Sequence, residues 1–166
     1  MSQIKARYAI NENTIALLPA KQIAFDTLVI ETNQIVKVRK TPLEIIKAAC
    51  INTWCTYEGR RQAVMHHTNF KKKIPIPIDI HEGIYLFPTH STTNIQNRWI
   101  AFQHIKTIQK NRNDQTKTDI IFYNEVKIPI NVSFHIVNKQ MQRTFECKYR
   151  MERALANGEA KRFVAN

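Results

Sequence analysis

Ile84-Tyr85-Leu86-Phe87-Pro88-Thr89-His90-Ser91-Thr92, followed at a short distance by Trp99-Ile100, decides how the middle of this chain is read. An apolar, β-prone run is stopped by Phe-Pro. Small hydroxyl and amide residues follow, and a second β-prone run opens on a tryptophan. The pattern is strand, polar loop, strand. Thr89, Ser91, Thr92, Asn94, Gln96, Asn97 and Arg98 furnish the loop, and no acidic residue stands among them. Such a loop suits an anionic partner rich in hydrogen-bonding groups. Trp99 opens an apolar strand and is assigned to the core rather than to a base-stacking platform.

Working outward, the N-terminal quarter reads as hairpins. Arg7 to Ile10 and Thr14 to Leu18 flank Asn11-Glu12-Asn13, and Phe25 to Glu31 and Ile35 to Val38 flank Thr32-Asn33-Gln34. The chain has only 3 glycines, so asparagine supplies the turn chemistry. A helix then starts with Thr41 as N-cap, Pro42 in the first position and Glu44 completing a capping box. Leu43, Ile46, Cys50 and Trp54 recur at helical spacing as its apolar face. A second short helix runs from Tyr57 to about Met65. Gly59 within it either admits the close approach of another backbone or marks a break between two helical turns.

Lys71-Lys72-Lys73 precedes Ile74-Pro75-Ile76-Pro77-Ile78, whose prolines forbid a central strand and point to an extended edge segment. Trp99 to Gln109, Thr118 to Tyr123 and Val126 to Ile130 read as strands, with a turn at Tyr123-Asn124-Glu125. The last element is a helix from Ser133 as N-cap to Asn157, with Gly158 as its stop. Phe134, Val137, Met141, Phe145 and Tyr149 share one face of it.

The sum is an α+β fold: a mainly antiparallel sheet of about eight strands, a central helical insertion at about 42–67 and a long C-terminal helix at about 133–157. One domain over residues 1–158 is expected, with 159–166 a flexible tail. Neither a helix-turn-helix with a clear recognition helix nor a zinc-finger spacing is apparent.

The formal net charge of +12 repels itself unless an anion is bound, and nucleic acid is the leading candidate, ahead of an anionic membrane surface. No run approaches the ~20 apolar residues needed to span a bilayer, and the N-terminus lacks the apolar core of a signal peptide. A cytoplasmic location, with no membrane partner, is expected. The 3 cysteines suit a reducing compartment.

The basic candidates are Arg60, Arg61, Lys71, Lys72, Lys73 and Arg98. Lysine and arginine neutralise phosphates with counterion release, and arginine also enters narrow minor grooves. Thr89, Ser91, Thr92, Asn94 and Asn97 are candidates for phosphate oxygens or groove-floor acceptors. The alternatives are a solvated lysine loop and a polar loop held by its own Asx and Ser/Thr turns. Cys50, Cys55, His66 and His67 raise a zinc site, but no C-x-x-C occurs, and on one helix the two cysteines would point about 140° apart. Catalysis is poorly supported: acidic residues number 13, and no carboxylate cluster or Gly-rich phosphate loop can be assembled. Neither an enzyme nor a cofactor is expected.

Phe87-Pro88-Thr89-x-Ser91 with Trp99 resembles a signature block of the ComK family, the competence transcription factors of Gram-positive bacteria. Pro42-Leu43-x-x-Ile46 leading to Cys50 and Tyr57-x-Gly59-Arg60 resembles the family's P-L…C…Y-x-G-R/K stretch. Lys73-Ile74-Pro75-Ile76 is similar to its K-P-P-I segment, with Ile74 in place of the first proline. Ile128-Pro129-Ile130-Asn131-Val132-Ser133 resembles the entry to its C-terminal helix. The similarity covers roughly residues 35 to 150. It implies a double-stranded DNA-binding transcription activator that recognises paired A-rich and T-rich boxes, largely through the minor groove. It also implies a homodimer or dimer of dimers on DNA and contact with RNA polymerase. Longer family members carry a C-terminal tail used in regulated proteolysis; this chain ends soon after Ala156-Asn157-Gly158, and that function is not carried over. Two other classes stay open: an RNA- or single-strand-binding module, which would want exposed aromatics on a sheet, and a nucleic-acid enzyme.

Overall fold

In the computed structural model, which describes residues 3–164, ten short strands form two sheets. The strands are β1 (Ile4–Lys5), β2 (Thr14–Pro19), β3 (Thr27–Glu31), β4 (Ile35–Val38), β5 (Ile76–Asp79), β6 (Ile84–Pro88), β7 (Trp99–Ala101), β8 (Ile105–Lys110), β9 (Thr118–Phe122) and β10 (Lys127–Ile130). The helices are α1 (Pro42–Asn52), α2 (Tyr57–Thr68) and α3 (Phe134–Val164). A seven-stranded sheet has the order β1-β4-β3-β2-β7-β6-β5, and a three-stranded sheet the order β10-β9-β8. All pairings are antiparallel except β1 with β4. The α+β class is as expected. The single eight-stranded sheet is replaced by two.

The division arises at one point. Trp99 to Gln109 is not one strand: a 3-10 turn at Phe102–His104 breaks it, so β7 stays in the large sheet and β8 enters the small one. Two cores result. Leu17, Val29, Val38, Leu86, Trp99 and Ala101 face α1 and α2, while Ala16, Phe87 and Ile100 face the small sheet through Ile105, Ile120, Phe122 and Ile128. Alternate residues of a strand serve opposite faces, and here both faces are covered. That is why β6 and β7 are buried at every position. α3 spans the two cores, with Val137 in one and Cys147 in the other.

Several local rules hold. Thr41 Oγ1 accepts from Glu44 N and Glu44 Oε2 accepts from Thr41 N, the reciprocal cap expected at α1. Pro77 lies in β5, an edge strand. Glu125 takes φ 68° in the β9–β10 turn. Gly59 marks no break. A Cβ there would sit 2.9 Å from Thr56 Oγ1, the N-cap of α2, and 3.3 Å from Cys55 Sγ, so it is a cap side chain that needs the space.

Four expectations are corrected. Residues 7–10 form no strand; Tyr8 instead donates its hydroxyl proton to Glu31 Oε1 at 2.6 Å. Trp54 does not continue the apolar face of α1. Thr53 caps that helix by donating to Ala49 O and to Ile78 O, and Trp54 turns outward at φ 66°, 98% exposed. α3 buries Val137, Gln140, Thr144 and Cys147, leaving Phe145 and Tyr149 in solvent. Gly158 does not stop α3, which continues to Val164. A glycine lowers helix propensity by about 1 kcal/mol but ends a helix only when the chain turns left-handed there, and alanines on both sides sustain this one. Of the tail expected over 159–166, residues 165 and 166 lie outside the described residues.

Candidate nucleic-acid interface

The polar loop is built by the pairing of β6 with β7. Pro88 stands opposite Trp99, and Thr89 N donates to Arg98 O at 2.9 Å, so residues 89–98 close as a loop at one end of the large sheet. Inside it, Thr89 Oγ1 accepts from Arg98 N at 3.0 Å and pairs with His90 Nδ1 at 2.8 Å, while Asn97 Oδ1 accepts from His90 N at 3.0 Å. Thr89 is only 2% exposed and Asn97 only 7%. Thr89 Oγ1 and Asn97 Oδ1 brace the loop from within.

The arch above them is held by its own turns. Asn94 N donates to Ser91 O, Asn97 N to Asn94 O, and Gln96 N to Asn94 Oδ1 at 2.8 Å. Ser91, Thr92, Thr93, Asn94, Ile95 and Gln96 are all exposed along it. β2 leaves the sheet where β7 enters it, since Leu17 pairs with Trp99, so the connection after Pro19 runs beside this arch. A cleft of about 640 Å³ separates the two, lined by Lys21, Asp26, Thr41, Thr92, Asn94 and Asn97 among others. A recess of about 210 Å³ on the other side is lined by Pro19, Lys21, His90, Ile95, Gln96, Arg98 and Asn131. Burial, with the charges of Lys73 and Arg98, holds His90 below the usual histidine range, and so favours its neutral form.

Arg60 is corrected most sharply. Its side chain is 9% exposed, and its guanidinium donates through Nη1 to Pro77 O at 2.6 Å and Ile78 O at 3.2 Å. Through Nη2 it donates to Thr53 O and Thr53 Oγ1, both at 2.8 Å. It fastens α2 to the α1–α2 junction and to the edge strand β5, where it shares Ile78 O with Thr53 Oγ1. Both terminal nitrogens of the arginine fork are thereby occupied inside the fold. Arg61, half-exposed on the same helix, makes no hydrogen bond or ion pair among the described residues.

Lys71, Lys72 and Lys73 are brought to the loop. Gln140 Nε2 on α3 donates both to Lys73 O at 3.0 Å and to Pro88 O at 2.8 Å, tying the lysine segment to the start of the loop. Arg143 Nη2 donates to Lys72 O at 2.6 Å, and its guanidinium lies 4.4 Å from the Phe70 ring centroid. Arg98 Nη1 donates to Pro129 O at 2.8 Å, and Asn131 Nδ2 to Gln96 Oε1 at 3.3 Å. Three long stretches without any Asp or Glu (residues 59–78, 83–113 and 126–145) are joined by these bonds. Each is visible in the sequence; their convergence is not. Gln140, which joins all three, and Arg143, which joins two, were missed because they read as ordinary polar positions on a helix.

Among the described residues the ion pairs are Lys106–Glu125, Lys117–Asp114, Lys148–Glu152 and Arg150–Glu146. None involves Arg61, Lys71, Lys72, Lys73, Arg98 or Arg143. Among the described residues the lysines and Arg98 around the loop therefore have no carboxylate within ion-pair distance, and only Arg143 feels a nearby acid, Glu146, as suits a surface meant for an anion.

The cysteines have other surroundings. Cys50 is buried in the core facing the helices, where burial pushes its thiol up to about 11, and Cys147, buried in α3, is pushed up to about 12. Both are poor nucleophiles as placed. Among the described residues no group of three His, Cys, Asp or Glu comes together as a metal site requires, and no helix is long and apolar enough to cross a membrane.

Comparison with known proteins gives three findings. No solved structure matches the chain significantly. A competence transcription factor of Bacillus subtilis (strain 168) is 30% identical over 138 residues, which span 82% of this chain and 71% of that protein. The family model described as ComK protein matches residues 5–156. With nearly the whole chain matched, including the loop and the segments that brace it, this protein belongs to the ComK family.

Proposed function

We propose that this chain is a sequence-selective, double-stranded DNA-binding transcription activator that reads A/T-rich boxes largely through the minor groove. The observation that carries the reading is the convergence of acid-free stretches around the 89–98 loop, with their cations unpaired. Lys71, Lys72, Lys73, Arg98 and Arg61 contact phosphates. Ser91, Thr92 and Asn94 meet the backbone or the groove floor. The description of the Bacillus subtilis relative as a competence transcription factor supports the activator role. Protomers act in the cytoplasm as a homodimer or dimer of dimers on DNA, in contact with RNA polymerase.

One observation favours a second mode of docking. α1 and α2 are joined by the four residues 53–56, so α2 could enter a major groove. Its outward face carries Glu58, Gln62, Ala63, His66 and His67, and its one arginine or lysine that is not buried is the half-exposed Arg61. That face is less suited to phosphate-lined DNA than the loop. Single-strand or RNA binding has weaker support, because the exposed aromatics Trp54, Tyr123, Phe145 and Tyr149 lie on turns and on α3 rather than on a sheet face.

Titration of binding against salt, followed by groove competition, tests the reading. With about four to six phosphates neutralised per protomer, log K should fall against log[salt] with a slope of about −4 to −5. Distamycin should displace the protein from A/T-rich duplex, and methylation of the major groove should leave binding intact. A slope near zero removes electrostatic duplex binding from the account. Indifference to distamycin with sensitivity to major-groove methylation transfers recognition to α2.

A further inference from the structure

We propose that Ile95 is an apolar wedge that enters a base step of the bound duplex and kinks it. The inference rests on the duplex-binding reading above and names what the tip of the loop does in that complex.

Ile95 is 77% exposed at the top of an arch whose other exposed members are all polar. The bonds on either side of it fix the backbone that carries it. Asn94 Oδ1 accepts from Gln96 N, Asn97 N donates to Asn94 O, and Gln96 Oε1 accepts from Asn131 Nδ2. The loop thus holds a branched apolar side chain outward on a stiff mount. The neighbouring connection repeats the feature. Ala20 N donates to Asp26 O at 2.8 Å to close residues 20–26, and Ile23 stands fully exposed within it.

What surrounds Ile95 identifies the partner. Lys21, His90 and Arg98 line the recess beside it, and the unpaired Lys71 to Lys73 lie at the foot of the same loop. An apolar tip flanked by uncompensated cations fits a target that is anionic outside and stacked and apolar within. Duplex DNA has that chemistry. Proteins that bind in the minor groove insert side chains such as isoleucine between base pairs, which unstacks the step. Pyrimidine–purine steps within A/T-rich sequence unstack most readily. A wedge therefore adds a preference for such steps to the hydrogen bonds of Ser91, Thr92 and Asn94. Trp54, also exposed, follows Thr53, which bonds Ile78 O at the opposite end of β5 and β6, and takes no part.

The test uses the full chain and A/T-rich duplexes with 2-aminopurine placed at successive positions and a fluorophore pair on the ends. Bound parent protein should raise the 2-aminopurine signal about twofold or more at one step and bring the duplex ends closer. Ile95→Ala should return both signals to the free-duplex level and raise Kd about 5- to 30-fold, the scale of one lost unstacking contact. Its salt slope should stay that of the parent, since the phosphate contacts remain. Ile95→Met should recover most of the signal. Melting of both variants should match the parent, because the side chain touches solvent. If the parent binds duplex with 2-aminopurine silent at every position, or Ile95→Ala kinks it equally, the wedge is overturned and duplex binding stands. If the parent binds no duplex, the binding reading falls and takes the wedge with it.

Discussion

Arg60→Ala should unfold about 3–5 kcal/mol more easily than the parent. The substitution leaves the carbonyls of Thr53 and Pro77 without their donor in a buried place, and Ile78 O with Thr53 Oγ1 alone; each orphaned group costs about 1–3 kcal/mol, and the effects overlap, so they do not simply add. The guanidinium reaches all three at once because its fork is planar and rigid. Arg60→Lys should therefore fall well short of the parent although it keeps the charge. In urea denaturation the midpoint should order parent, then lysine, then alanine. Below the transition, all three should bind duplex with similar affinity, because this side chain does not reach the surface. Arg61→Ala should do the opposite, melting with the parent and binding more weakly. An Arg60→Ala protein that melts normally would show that β5 is held by other means.

Trp99→Ala should cost about 3–5 kcal/mol of stability, as for a large buried aromatic replaced by alanine. The indole is fully buried between the sheet and the helices and meets Tyr57 edge to face at 6.5 Å between centroids. It stands immediately behind Arg98, so its loss also loosens the foot of the loop. Replacing Ser91 and Asn94 together by alanine should act on the other quantity. Both are exposed, and melting should change little, while duplex affinity should drop by about 1–3 kcal/mol, the scale of one or two polar contacts. Calorimetric melts and binding isotherms on the same preparations separate the two roles. If the double variant melts early, or binds as well as the parent, the arch is structural and the interface lies elsewhere. The Asn94 Oδ1 bond to Gln96 N is the contact to watch in that case.

Residues whose role is settled by near neighbours were legible in the sequence. Thr41, Pro42 and Glu44 start α1 because the cap needs only residues three apart. Pro77 announces an edge strand because it lacks an N–H wherever it is placed. The strand–loop–strand reading of residues 84–100 holds because Phe-Pro and the run of hydroxyls and amides after it act locally. Tertiary structure decided the rest. Arg60 looked like a DNA contact because nothing near it in the sequence reveals that carbonyls 17 and 18 residues away converge on its guanidinium. Thr89 and Asn97 looked like ligand groups, but the closure of β6 onto β7 turns them inward as braces. Helical spacing allowed two stripes on α3. The Val137, Gln140, Thr144 and Cys147 stripe is the buried one: Val137 and Cys147 pack into the two cores, and Gln140 donates to Lys73 O and Pro88 O where the strands end. Side-chain chemistry and short-range spacing are written in the chain, whereas the partner of a long polar side chain is set by whichever remote segment the fold brings to it.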